Sequence, residues 1–414
     1  MTFDEEWADA QRTAAAGGSS YDLVVTQDDL GAVGHEAFLI HGQLRAKADI
    51  AGTGATARAA TECSTRNLAM GSEPSATLST WDSQVKTVLQ MYAHISNHLD
   101  FSKKAHANDD EAIAAGMRHR GRFRAVGLRD TEVREVTLTW TDLITLDLGK
   151  LNEAVTEWKT AAEELAKLHG TVRDGLVKKS EAARWEGVNA TVTREFVRSA
   201  AKEVDDLQRE AKSIHLVLAD AHAELTQIQK QAKALADEAR RGDPAHTPEP
   251  DPGLLVSDGG GGKVRVESSI CDAKGPNQRT QDMIRWYADT LTGLVSHAAD
   301  VDAAATRALR ASHGADPYNA GHAEYTSLDQ DQLPRAMKLA ALGKDAKPAQ
   351  QAELRRLWQS LSPDARAQLW TAHRDDLIAA GLFNPSVKQM AADRGSGKHG
   401  AEDIEWNDWV HPWG

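Results

Sequence analysis

Within VNATVTREFVRSAAKEVDDLQREAKSIHLVLADAHAELTQIQKQAKALADEARR, residues 188–241, the positions Val197, Ala200, Val204, Leu207, Ala211, Ile214, Leu218, Ala221, Leu225, Ile228, Ala232 and Leu235 are all apolar. They alternate at spacings of three and four, which holds one apolar stripe on a single face of a helix. Neither Pro nor Gly interrupts the run. At 1.5 Å per residue the pattern predicts a helix roughly 80 Å long. An apolar stripe of that length has to be covered, so the rest of the chain is read for matching stripes.

Three are found. Leu151, Val155, Trp158, Ala162, Leu165, His169, Val172 and Leu176 repeat the alternation just ahead of the long helix, from which a break at Trp185-Glu186-Gly187 separates them. Leu78, Trp81, Val85, Val88, Tyr92, Ile95 and Leu99 form another stripe behind Met70-Gly71-Ser72-Glu73-Pro74. Helical spacing also runs from Asp28 to about Leu68, but Gly31, Gly34, Gly42, Gly52 and Gly54 predict a bent or broken helix there. The last stripe, Ile284, Tyr287, Leu291, Leu294, Ala298, Val301, Ala305 and Ala308, is rich in small residues and is expected to lie antiparallel on the distal half of the long helix.

The division expected from these stripes is a lead-in over 1–26, a first helical hairpin over 27–115 and a linker over 116–146. A long hairpin with a third helix follows over 147–313, with a connection at 242–275 inserted in it, and then a helical C-terminal region over 314–414. The class is all-α: two long hairpins forming a four-helix bundle, extended by an antiparallel helix and small C-terminal helices. Leu254-Leu255-Val256 and Val264-Arg265-Val266 flank Ser257-Asp258-Gly259-Gly260-Gly261-Gly262, a pattern that fits a short β-hairpin near 254–268, with an unstructured connection as the alternative. Ser362-Pro363 reads as a helix start, since Ser caps and Pro at the first position needs no donor.

Trp185-Glu186-Gly187 sits between two long stripes, where Gly allows a tight reversal and Trp covers the end of the seam. In this context, Ala183 to Ala190, the chain resembles the Trp-x-Gly helical-hairpin substrates of type VII (ESX) secretion systems. In that family two hairpins pair antiparallel into a four-helix bundle. The resemblance makes residues 147–241 the Trp-x-Gly partner and residues 27–115 its companion, with Met70-Gly71-Ser72 in place of the tripeptide. It covers roughly half the chain, and the two hairpins lie in one polypeptide with extended arms. The resemblance also implies an export signal of the form Tyr-x-x-x-Asp/Glu, for which Tyr325 and Asp329 are the candidates. Trp81, Val85, Tyr92, Ile95, Leu99, Trp158 and Leu165 are the expected partner-facing seam. The expected partners are the two hairpins for each other, and an ESX-type ATPase or a second copy of the chain.

Other classes fare less well. The chain has 414 residues and 41% hydrophobic content, enough for buried cores, while aromatics at 5% favour Ala-lined helix seams. Lys and Arg total 48 against 61 Asp and Glu, a net charge of −13 that repels phosphate backbones. The basic run Arg118-His119-Arg120-Gly121-Arg122-Phe123-Arg124 is short and reads as a solvated linker. Cys63 and Cys271 have no nearby second thiol and read as free. The acidic N-terminus lacks the basic and apolar regions of a signal peptide, and no apolar run reaches the length of a membrane span, so export would follow a signal-peptide-independent route from the cytoplasm.

Enzymatic chemistry is not expected. His94 and His98 lie one helical turn apart, with His35, His41 and His106 in the same hairpin, but no Cys or HExxH context accompanies them, and they read as residues flanking the seam. His169 reads as a polar residue setting register. Gly395-Ser396-Gly397-Lys398-His399 lacks the leading Gly of a phosphate loop, because Ala392 stands there. The reading is therefore a non-enzymatic secretion substrate or delivery module without a cofactor. A small C-terminal effector drawing on His373, Asp375, Asp376, Asp393, His399, Glu405, Asp408 and His411, and a cytosolic helical scaffold, are the rivals. The tail with Trp406, Trp409 and Trp413 reads as a docked segment.

Overall fold

The computed structural model describes residues 27–50, 52, 54–105, 137–185, 188–242, 252–269, 275–313, 316, 318–321 and 324–379. The lead-in, the basic run, His106, Glu186, Gly187, Cys271 and everything after residue 379, including the Trp-rich tail, lie outside them.

The first hairpin consists of α1 (Gln27–Lys47), α2 (Ala55–Thr65) and α3 (Glu73–Ala105), with a 3-10 turn at Ala69–Gly71. The predicted break falls between α1 and α2, where Gly54 takes φ 67°, in the left-handed region that an L side chain resists. α1 packs along α3, while α2 touches α3 and lies mainly on the second hairpin. Gly71 is required by close approach: a Cβ there would meet the Ser64 backbone nitrogen at 2.4 Å.

The stretch expected to be a linker, 116–146, ends in a short helix, α4 (Trp140–Thr145), whose Trp140 and Leu143 are buried. Its start is a capping box, in which Thr139 Oγ1 accepts from the Asp142 amide at 3.2 Å and Asp142 Oδ2 accepts from the Thr139 amide at 3.1 Å. The second hairpin has as its first arm α5 (Leu148–Thr171), a π-helical turn at Val172–Val177 and α6 (Lys178–Ala182), and as its second the 54-residue α7 (Val188–Arg241). α5 and α7 pack against each other along their seams, and α3 packs on α7 across the two hairpins. Of the twelve seam positions of α7 named above, eleven are buried and Leu235 is half-buried.

Beyond Arg241 the chain forms an antiparallel hairpin, β1 (Leu254–Gly260) and β2 (Lys263–Ser268), in which Leu254 faces Ser268 and Val256 faces Val266. Gly260, Gly261 and Gly262 all have φ between 58° and 82°, which is why the tight connection is glycine throughout. β2 seats on α8 (Gln278–Ser312), where the Val264 amide donates to Thr292 Oγ1 at 2.9 Å. α8 starts at Asn277, whose side chain accepts from the Thr280 amide at 2.8 Å. It runs back along α7, burying Tyr287, Leu291, Leu294, Ala298, Val301, Ala305 and Ala308.

Three shorter helices end the described chain: α9 (Asp329–Ala340), α10 (Pro348–Ser360) and α11 (Pro363–Ala379). They enclose a second, smaller core around Leu354, Trp358, Leu369 and Leu377. Ser362 Oγ caps α11 by accepting from the Ala365 amide at 3.2 Å. The architecture is all-α with one small β-hairpin. Among the described residues, no helix is long and apolar enough to cross a membrane.

Candidate functional site

Trp185 is 3% exposed and sits at the reversal between α6 and α7, its amide donating to the Ala183 carbonyl at 2.9 Å. The reversal is fastened by a residue that sequence reading passed over. Arg194, in the second turn of α7, donates from Nε to the Ser180 carbonyl at 2.9 Å, and from Nη2 to the carbonyls of Ala183 and Trp185 at 3.0 and 2.9 Å. A planar guanidinium can gather several unsatisfied helix-end carbonyls in this way, and its charge suits the negative end of the helix. The turn also docks on the first hairpin: the Arg184 amide donates to Asp29 Oδ2 at 3.1 Å, and Lys179 pairs with Glu36. Glu186 and Gly187 lie outside the described residues.

The seam residues Trp81, Val85, Tyr92, Ile95, Leu99, Trp158 and Leu165 are all buried within the chain. Trp81 and Trp158 meet edge to face, Trp81 Nε1 donates to the Ala48 carbonyl at 2.9 Å, and Trp158 Nε1 donates to Thr56 Oγ1 at 3.0 Å. Tyr92 Oη donates to the Ala200 carbonyl at 3.1 Å, so α3 and α7 are also tied by a buried hydrogen bond. Further ties between the hairpins are Thr56 to Glu157 and Arg58 to Glu153. The buried carboxylate of Asp302, on α8, accepts from the amides of Ala69 and Met70 at 2.5 and 2.8 Å. Burial lifts that carboxyl to about 6, against the pull of the two amides. His169 is paired with Asp205 across the α5 and α7 seam, at 3.1 Å.

Tyr325 is 7% exposed. Its hydroxyl donates to Asp220 Oδ2 at 3.1 Å and its amide to Ser213 Oγ at 3.1 Å. The Leu328 amide donates to the same Asp220 oxygen at 3.1 Å, and Asp329 Oδ1 accepts from the Ser362 amide at 3.0 Å. Both candidate signal residues are thus engaged inside the fold.

Those contacts lie on a second stripe of α7. Glu203, Asp206, Glu210, Ser213, Val217, Asp220 and Glu224 keep the same alternation of three and four as the apolar seam, one position removed from it, yet most are acidic. Asp206, Glu210 and Ser213 are buried and Glu203, Asp220 and Glu224 half-buried. Burial pushes Glu210 up to about 8 and Glu203 and Glu224 up to about 7, and it raises Asp220 as well. The cover comes from α3, through Gln84, from residues 318–321 and 324–328, and from Arg366 on α11, which is the charge opposing Glu224.

The remaining candidates are dispersed. His98 is pushed down by burial and by neighbouring His94. Cys63 is buried, its thiol raised to about 12. His373 Nδ1 lies 3.2 Å from Asp376, beside a kink in α11, while Asp393, His399, Glu405, Asp408 and His411 lie outside the described residues. Among the described residues no group of three or more His, Cys, Asp or Glu side chains is placed to hold a metal ion.

The class these observations define is an all-helical bundle protein built around one long helix. Comparison of the chain with family models, with curated proteins and with solved structures returns no match.

Proposed function

We propose that the chain is a non-enzymatic substrate or delivery module of a type VII (ESX) secretion system, acting through helix-bundle contacts. The observation that supports this reading is the hairpin of α5, α6 and α7, whose reversal holds a buried Trp185 clamped by Arg194. A hairpin of this kind, packed on a second hairpin of the same chain, matches in form the paired substrates that the sequence resembles. Contact with a secretion ATPase would have to use surfaces other than the two seams, because the seams are spent on each other. Tyr325 and Asp329 remain the candidate signal.

The test is expression of the tagged full chain in a bacterium with a working ESX system and in its ATPase-deficient sibling. The chain is expected in the culture filtrate of the first and not of the second. Equal retention in both cells would leave a cytosolic scaffold as the better reading.

A further inference from the structure

Residues 318–321 and 324–328, between α8 and α9, lie beside the acidic stripe of α7 and are attached to it in register. The Ala320 amide donates to Glu203, the Tyr325 amide to Ser213, and the Leu328 amide to Asp220. From Ser213 to Asp220 the helix rises about 10 Å at 1.5 Å per residue, and from Tyr325 to Leu328 an extended chain covers about 10 Å at 3.3 Å per residue. The matching lengths explain how a non-helical segment satisfies its backbone amides on helix side chains. From the other side, Gln84 Nε2 reaches the carbonyls of His313, Asp316 and Asn319 at 3.4, 3.2 and 3.4 Å.

We propose that residues 318–321 and 324–328 form a latch, closed over the acidic stripe of the long helix by Asp220, Ser213 and Gln84, and that raising the pH opens it. The charges that face the stripe are few. Glu203 is met by Asp206 and Asp316, with Lys202 opposing, Glu210 faces Gln84, and Arg209 pairs with Glu324 of the latch at 3.5 Å. Asp220 is met by Tyr325, Asp329 and His215, and Glu224 by Arg366, Asp220 and Asp329. Acids therefore outnumber bases beneath the latch.

The closed state favours neutral carboxyl groups. Their folded values lie above the unfolded ones, so the stabilisation is complete below about 4.5 and is lost as the pH rises through about 7 to about 8. Opening would expose Tyr325. The proposal concerns the fold itself and holds whether or not the chain is exported.

The experiment is hydrogen exchange of the full chain, read by mass spectrometry at about pH 6 and about pH 9 after correction for intrinsic rates. Peptides covering 324–330 are expected to lose at least about tenfold in protection at the higher pH, as a carboxyl raised by two units or more requires. Peptides from the α5 and α7 seam should keep theirs. The variant carrying E203Q, E210Q and E224Q should keep the latch protected at both values, and D220A should expose it at both. Equal protection of the wild type at the two pH values would overturn the latch, as would a glutamine variant that opens as the wild type does. Simultaneous loss across all helices would show global unfolding and would overturn it too.

Discussion

The indole of Trp81 meets that of Trp158 edge-on, with ring centroids 5.1 Å apart and planes inclined by 76°. One ring belongs to each hairpin, so the largest side chains of the two seams form the contact that joins them. Trp158→Ala should lower stability by about 3–5 kcal/mol, the cost of a large cavity in a close-packed core. Trp158→Phe should cost less, losing chiefly the donor to Thr56. Thermal unfolding followed by circular dichroism measures both, and an alanine variant as stable as the wild type would contradict the packing described.

The pairing of hairpins should survive cutting the chain. Pieces 1–117 and 118–414, co-expressed, are expected to sediment as a one-to-one complex, because Tyr92, Thr56, Arg58 and the amides of Ala69 and Met70 all find partners in the second piece. Two separate species in analytical ultracentrifugation would speak against it.

Arg194→Met keeps the length of the side chain and removes its donors. Three helix-end carbonyls then lose a charged partner, at a cost of about 2–3 kcal/mol. Trp185→Ala should cost roughly 3 kcal/mol or more through the cavity it leaves. The two changes touch the same turn, so a double-mutant cycle should show them non-additive. Strict additivity would mean that Arg194 holds the helix end independently of the indole.

Glu210→Gln should be close to neutral at low pH and stabilising at high pH. Below about 4.5 both chains carry a neutral side chain there, and the melting temperatures should nearly coincide. As the pH rises through about 8 the wild type must ionise a buried carboxyl and the variant need not, so the variant should melt higher. A constant difference from pH 4 to about pH 9 would show that Glu210 does not titrate in the fold.

The apolar seams are legible in the sequence because spacing alone defines them: Val197 to Leu235 need no knowledge of what covers them. The acidic stripe is not. Glu203, Asp206, Glu210, Asp220 and Glu224 keep equally regular spacing, but charged residues at that spacing ordinarily describe a solvated face. Polar groups that carry no helical period in common, Gln84, the stretch around Tyr325 and Arg366, make them interior. Trp140 to Thr145 could have been found, since Thr139 and Asp142 stand at capping-box spacing before Leu143. Arg194 carries no local signal, because its partners are backbone carbonyls set by the turn itself.

The carboxylate that secures the turn at Met70 comes from Asp302, 232 residues further along the chain. During synthesis at about 5–20 residues per second, that group emerges roughly 10–50 seconds after the turn it serves. The first hairpin is made early and completed late. Helices α5 and α7 can cover its seam before then, but the amides of Ala69 and Met70 wait for Asp302, so the order of translation leaves this early turn to be closed among the last.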